Sequence, residues 1–195
     1  RVADMAAQKQ DLEKAKADLE MLIQNILSSM RVVFREKFHQ IGENFQEIFR
    51  ELFGGGHAEL RLTEPENVLA SGIQINVPPP GKIIKNLMLL SGGEQAFIAI
   101  ALMFALIKVN PSPFCIFDEI EAALDEVNVN RVANYISRFS KDIQIIMITH
   151  RRGTMEIADT LYGVTMPRHG VSKVFTLDVG AVSKQQFIEE HLGNN

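Results

Sequence analysis

One cysteine, Cys115, stands in 195 residues, so no internal disulfide can form, which fits a reducing cytosol. Set in an apolar run, it reads as a small buried hydrophobe. A large excess of acidic or basic residues is missing too. A net charge of −4 gives no global basic field, and any DNA contact has to use a local patch. Long hydrophobic runs are missing. The longest, Ala96–Ile107, falls short of the roughly 20 residues a bilayer requires; it reads as a buried helix and implies no membrane. No signal peptide is visible, and a sequence that opens on Arg1 rather than Met reads as a fragment. His39, His57, His169 and His191 share no metal-ligand spacing, and no Ser-His-Asp or Cys-His constellation is evident. Internal repeats and low-complexity segments are absent.

What is present fits one domain with an appended arm. The hydrophobic fraction, 46%, can fill a core. Met5, Leu12, Leu19, Ile26 and Val33 recur every seven residues; Val2, Ile23 and Met30 take the alternate seam position, with Lys9 and Lys16 weakening it. The pattern predicts a helix over 1–30, roughly 45 Å long at 1.5 Å per residue. A solvated amphipathic helix would show the same stripe. We read a coiled-coil stub over 1–33, because an isolated helix needs a partner to bury it. From Phe34 the spacing changes: Phe34, Phe38, Ile41, Phe45, Ile48 and Leu52 follow three-and-four steps with far more aromatic bulk, so the same helix runs out of its arm and onto a core. Gly54-Gly55-Gly56 reads as the helix stop. A glycine triplet can also cradle phosphate, but no Lys-Ser or Lys-Thr pair follows in register.

Ala58–Thr63 and Gly72–Val77 read as strands around a turn at Glu64-Pro65-Glu66-Asn67. Pro78-Pro79-Pro80-Gly81 is a stiff connector, followed by Lys82 and Lys85, which are either solvated or DNA-facing. A helix over 94–109 is apolar almost all round and ends at Asn110-Pro111-Ser112-Pro113. Further on come a strand to Phe117, a helix over Asn128–Ser140 with Val132, Tyr135 and Ile136 inward, a second buried strand over Ile143–Thr149 and a short helix over Gly153–Thr160. Tyr162–Met166 and Val171–Leu177 form a hairpin around Arg168-His169-Gly170, and the tail after Gly180 is polar.

Two stretches carry the chemistry. In Leu90-Ser91-Gly92-Gly93-Glu94-Gln95, Ser91 suits an N-cap and Glu94 completes a capping box. A Gly-Gly turn at a helix start exposes backbone N–H groups in the positive field of the dipole, an anion site suited to phosphate. In Phe114-Cys115-Ile116-Phe117-Asp118-Glu119, a short apolar strand delivers two carboxylates to the edge of a sheet, where α/β folds place ligands. One suits a magnesium ion and the other a water. Glu121 reads as a surface or salt-bridge residue. Acids at strand ends such as Asp118 often cap the next helix, a reading the surrounding motifs speak against, and a lone histidine after a strand, such as His150, is usually a satisfied structural residue.

LSGGEQ, FCIFDE, Ala123-Leu124-Asp125 and Ile148-Thr149-His150, in that order, resemble the signature motif, Walker B, D-loop and switch histidine of an ABC-type ATPase. Phe53-Gly54-Gly55-Gly56-His57-Ala58, Pro78-Pro79-Pro80-Gly81-Lys82 and the stretch Asp118–Asp125 are similar to the C-terminal head segment of SMC proteins, and Ile148–Met155 and Leu161–Met166 to their bacterial chromosome-condensation branch. The likeness runs from about Phe34 to about Val179. It implies an α/β fold, the C-terminal half of an ABC-type head, over 34–195. It further implies an ATP hydrolase, active only with an N-terminal Walker A lobe and after dimerisation with a second SMC head, driving chromosome condensation and segregation in the cytoplasm at the nucleoid.

In that family Ser91, Gly92, Gly93, Glu94 and Asp125 would meet ATP, Asp118 would hold Mg²⁺ through water, Glu119 would activate the attacking water and His150 would touch the γ-phosphate. The signature serine serves ATP held by the opposite head. A kleisin subunit and DNA are the implied partners. No G-x-x-x-x-G-K-[ST] occurs in the sequence, and Gly81-Lys82 is followed by Ile83; in SMC proteins that cradle and the Q-loop glutamine lie in the N-terminal segment, across a long coiled coil and hinge. Gln95 departs from the arginine common in bacterial members. Three other readings compete: a RecN-like repair ATPase, against which the GGG and PPPGK stretches speak; a transporter subunit, against which the arm speaks; and a non-catalytic module that only docks a kleisin.

Overall fold

The computed structural model describes residues 1–77 and 90–178. The Pro78–Gly81 connector, Lys82, Lys85 and the tail after Gly180 lie outside the described residues. A single helix, α1 (Val2–Phe53), runs through both the heptad stretch and the aromatic stretch without a break at 33. At 1.5 Å per residue its 52 residues extend about 78 Å. The heptad positions Met5, Leu12, Leu19, Ile26 and Val33 are all exposed. Farther along, Phe45, Ile48, Phe49 and Leu52 are buried. Gly54 stops the helix in the left-handed conformation, φ 72°, its N–H bonded to the Arg50 carbonyl, and Gly55 donates to the same oxygen. Gly55 and Gly56 also have positive φ, so the triplet turns the chain where a side chain would be strained.

β1 (Glu59–Leu62) pairs antiparallel with β2 (Ile73–Asn76), Glu59 opposite Asn76. The turn between them holds a short 3₁₀ helix over Pro65–Asn67. α2 (Gly92–Val109) then crosses the core. Its 18 residues, mean hydropathy 1.6, are long and apolar enough by length and composition to cross a membrane, more than the shorter run in the sequence implied. In the fold Phe97, Ile98, Ile100, Ala101, Phe104 and Ala105 are buried, and α1 is the element α2 packs against most extensively. Lys108 Nζ reaches Glu47 of α1 at 2.8 Å.

β3 (Phe114–Asp118), α3 (Glu126–Phe139) and β4 (Gln144–Ile148) form a β-α-β unit, and β3 and β4 pair in parallel, Phe114 with Gln144 through Asp118 with Ile148. Alternation sends Cys115, Phe117, Ile145 and Met147 into the core. Phe104 is its centre: Tyr135, Phe139 and Phe117 lie at centroid distances of 4.9, 5.2 and 5.6 Å. These strands are not buried on both faces as read from sequence. Phe114, Ile116, Ile146 and Ile148 are 51%, 57%, 45% and 52% exposed. The sequence signal is a continuous apolar run, which two-sided burial produces; among the described residues one face packs on the core and the other stays open.

α4 (Arg152–Met155) is a single turn, shorter than the Gly153–Thr160 helix expected: Ala158 N–H bonds three residues back to the Met155 carbonyl, a turn that leads into the next strand at Thr160. β5 (Thr160–Arg168) and β6 (Val171–Asp178) make the expected antiparallel hairpin, with an irregularity between Thr165 and Arg168. Gly170 takes φ 78° at the tip, and a Cβ at Gly163 would collide with the Phe175 ring across the pair.

Candidate functional site

The helix start at Ser91 folds as its sequence dictates. Ser91 Oγ accepts from the Glu94 N–H at 3.3 Å, and Glu94 Oε2 accepts from the Ser91 N–H at 3.0 Å. Both cap partners are therefore satisfied, while the N–H groups of Gly92 and Gly93, at the exposed first turn, have no carbonyl one turn back within α2 to bond. Gln95 donates from Nε2 to the Leu90 carbonyl at 3.3 Å, folding its side chain back on the turn. Gly93 approaches the next segment closely: a Cβ there would lie 3.2 Å from the Ala123 carbonyl oxygen, a tight contact that would make the turn give by a few tenths of an ångström. The turn at 91–93 thus sits directly on the segment that follows β3.

β3 ends at Asp118, whose carboxylate is exposed. Glu119 follows at φ 46°, the single non-glycine residue with positive φ among those described. Its N–H donates to the Ile148 carbonyl at 2.9 Å, extending the β3–β4 ladder by one residue. The backbone then turns through Ala122 N–H to Glu119 O and Leu124 N–H to Glu121 O, each 3.0 Å. Asp125 closes the turn as the N-cap of α3, Oδ1 accepting from Asn128 N–H at 2.8 Å. Left-handed backbone at a non-glycine residue costs of order 1–3 kcal/mol and persists only where surrounding contacts over-determine it.

The strain aims Glu119 across to the end of β4. His150 Nδ1 lies 3.2 Å from Glu119 Oε1, with both side chains open to solvent. Two carboxylates and an imidazole therefore gather at the C-terminal edge of a parallel pair, where α/β folds bind ligands. The predicted residues fall into two groups. Asp118, Glu119 and His150 share the strand ends; Ser91, Gly92, Gly93 and Glu94 form the helix start, brought near the segment that leads to Asp125 by the Gly93–Ala123 approach.

Glu121 is not the surface residue its charge suggested. It is 1% exposed, and its Oε1 accepts from Thr149 Oγ1 at 2.5 Å and from Thr154 Oγ1 at 2.9 Å. Two hydroxyls, one after β4 and one in α4, supply partners that only the tertiary fold brings near. Arg151 was missed as well: its Nη2 donates to the carbonyls of Ala122 and Leu124 at 3.0 and 3.2 Å. The available sequence signal for Glu121 was an acid followed directly by Ala-Ala-Leu, an apolar turn with no cation beside it.

No group of three or more histidine, cysteine or acidic residues poised to hold a metal exists among the described residues. A lone exposed carboxylate such as Asp118 suits a hard cation held largely by water and a ligand's own oxygens.

Residues 3–173 match the family model described as RecF/RecN/SMC N terminal domain. The chain belongs to that family. Among its SMC relatives, it is 54% identical over 173 residues to the chromosome partition protein Smc of Bacillus subtilis (strain 168), covering 89% of this chain and 15% of the relative. The Smc protein of Desulfitobacterium hafniense (strain Y51) is 51% identical over 180 residues, 92% of this chain and again 15% of the relative. The chain thus spans about 15% of the length of these curated relatives. Solved structures agree in fold. A Pyrococcus furiosus Smc head domain with an extended coiled coil, bound to the C-terminal domain of ScpA, superposes with a TM-score of 0.76 at 41% identity, over 96% of this chain and 46% of that one. A chain from work on ATP-driven dimerization and DNA-stimulated activation of SMC ATPases gives 0.73 at 43% identity, over 85% of this chain and 98% of that one. The α/β fold is that of an SMC head.

Proposed function

We propose that this SMC-family chain is the C-terminal lobe of an ATPase head, residues 34–195, carried on a coiled-coil stub, residues 1–33. The observation that carries the reading is the gathering of Asp118, Glu119 and His150 at the open edge of a parallel pair, in a sequence with no Walker A motif. These residues can position a water and hold a phosphate's metal, but the phosphate cradle has to come from elsewhere. The bare face at Phe114, Ile116, Ile146 and Ile148 supports the same reading, since parallel strands are normally covered on both sides. An N-terminal lobe bearing the P-loop is the occupant we assign to it.

In the assembled head Asp118 would hold Mg²⁺, through water, and the metal would supply charge neutralisation at the phosphates. Glu119 would orient the attacking water and take its proton, and His150, fixed by Glu119, would donate towards the γ-phosphate. Ser91 and the first-turn N–H groups of Gly92 and Gly93 would bind phosphate oxygens of ATP held by a second head, with Glu94 fixing the turn through the capping box. Asp125 would lie at the border between heads. The work driven is chromosome condensation and segregation, with DNA as substrate and the nucleoid as location. A kleisin is the proposed further partner, because the Pyrococcus furiosus head is bound to a domain of ScpA.

Glu119→Gln tests the assignment in the full-length protein carrying this segment. The amide keeps the shape but cannot accept a proton, so phosphate release should fall roughly 10²–10⁴-fold while ATP-bound head dimers accumulate in sedimentation. Asp118→Asn should instead weaken Mg²⁺–ATP binding. Near-wild-type turnover in Glu119→Gln would show that another residue activates the water.

A further inference from the structure

We propose that Glu121 is a positioning residue that latches the Glu119–Asp125 turn to the segment carrying His150; the inference rests on the head-lobe reading for what the latch serves. A carboxylate taken out of water is costly unless its oxygens are satisfied, and a leucine would fill the same space at lower cost. Glu121 is nonetheless 1% exposed, with no cation within ion-pair distance among the described residues. Two hydroxyls hold it, Thr149 Oγ1 at 2.5 Å and Thr154 Oγ1 at 2.9 Å, both on Oε1, and Oε2 is buried without a partner among the described residues. What a carboxylate offers here, and a leucine cannot, is direction.

The contacts around it form a closed loop. Thr149 donates to Glu121 and accepts the Arg151 N–H at 3.0 Å, so one hydroxyl fixes the backbone on both sides of His150. Arg151 returns to the first turn, donating to Ala122 O and Leu124 O. Glu119 itself is tied to the same neighbour through Ile148 O and His150. Side chains thus cross between the two segments in both directions, on either side of the Glu119–His150 pair. Gly93 rests against Ala123 O, so the signature turn is referenced to the latched segment as well. Breaking the latch would leave each residue present while loosening the distances between them, the kind of small misplacement that lowers turnover by up to about 10²-fold.

The test uses Glu121→Gln and Glu121→Ala in the full-length protein, with hydrogen exchange and steady-state kinetics read together. The latch predicts that amide exchange rises in 119–125 and 149–155 jointly, while the α1–α2 core keeps its protection. It also predicts that kcat falls roughly 10–100-fold with KM for ATP little changed, and that Glu121→Ala is the more severe. Thr149→Val should reproduce both effects and Thr149→Ser should restore them, which keeps the test open if the Glu121 variants fail to fold. Exchange that rises at Glu121 alone, or uniformly through the domain, would overturn the latch, as would a lowered melting temperature with unchanged kcat. A wild-type protein that hydrolyses no ATP would sink the head-lobe reading instead, and the exchange data would still decide whether the two segments are coupled.

Discussion

Glu119 shows how much of a site is invisible in its letters. Its place after an apolar strand is readable, but its φ of 46° is set by the Ile148 carbonyl and His150, both about thirty positions away. Glu121 was misread for the same reason: Thr149 and Thr154 reach it only after β4 and α4 are in place. Ser91 and Glu94, by contrast, were legible in full, because a capping box is local chemistry within four residues. Ser91→Arg places a bulky cation on that tight turn. Head engagement driven by ATP should disappear in sedimentation while ATP binding to each head survives; unchanged dimers would remove the role proposed for Ser91. Tyr135 offers a test of packing by pH. Burial, with Glu47 adding to it, pushes its phenol up to about 12. The neutral form is therefore favoured in the fold, and its stabilisation is complete below about pH 10, where an unfolded tyrosine ionises, and is lost as pH rises towards 12. An absorbance titration of the phenolates should contain a late step that Tyr135→Phe abolishes; a Tyr135 that ionises near the ordinary tyrosine value of about 10 would contradict its burial against Phe104.

Among the elements, periodic patterns predicted type well and burial less well. α1, α2, α3 and the closing hairpin stand close to where spacing placed them, since three-and-four and two-residue repeats report directly on helices and strands. After Val33 the heptads give way to aromatic bulk, and α1 meets the core from Ile41 onward, Phe45 being fully buried. Helix ends were harder: α4 is one turn, and a turn at Ala158 leads the chain into β5 by Thr160. The parallel pair misled on burial, because an apolar run looks identical whether its second face is covered by this chain or by another. At this scale the core should fail through Phe104, which is fully buried and meets rings from β3 and α3. Phe104→Ala should cost about 3–5 kcal/mol, read as a lower midpoint in urea denaturation. A shift below about 1 kcal/mol would mean that the aromatic cluster is not the centre of the fold.

The whole molecule is organised by two apolar surfaces that its described residues do not cover. One is the heptad stripe along the first turns of α1, the other the outer face of β3 and β4. An isolated helix gains little from its own propensity, and parallel strands seldom stay open on one side. Both features, together with the strand-end residues and the missing P-loop, support the proposed reading of a lobe that a partner completes. The measurement that bears most directly on this is ATP binding and phosphate release by the chain alone, by a Walker A lobe of an SMC head alone, and by the two combined. The chain alone should neither bind ATP tightly in calorimetry nor release phosphate, and turnover should arise only in the mixture. Micromolar ATP affinity for the chain by itself, or a mixture that forms a complex yet stays inactive, would contradict the account.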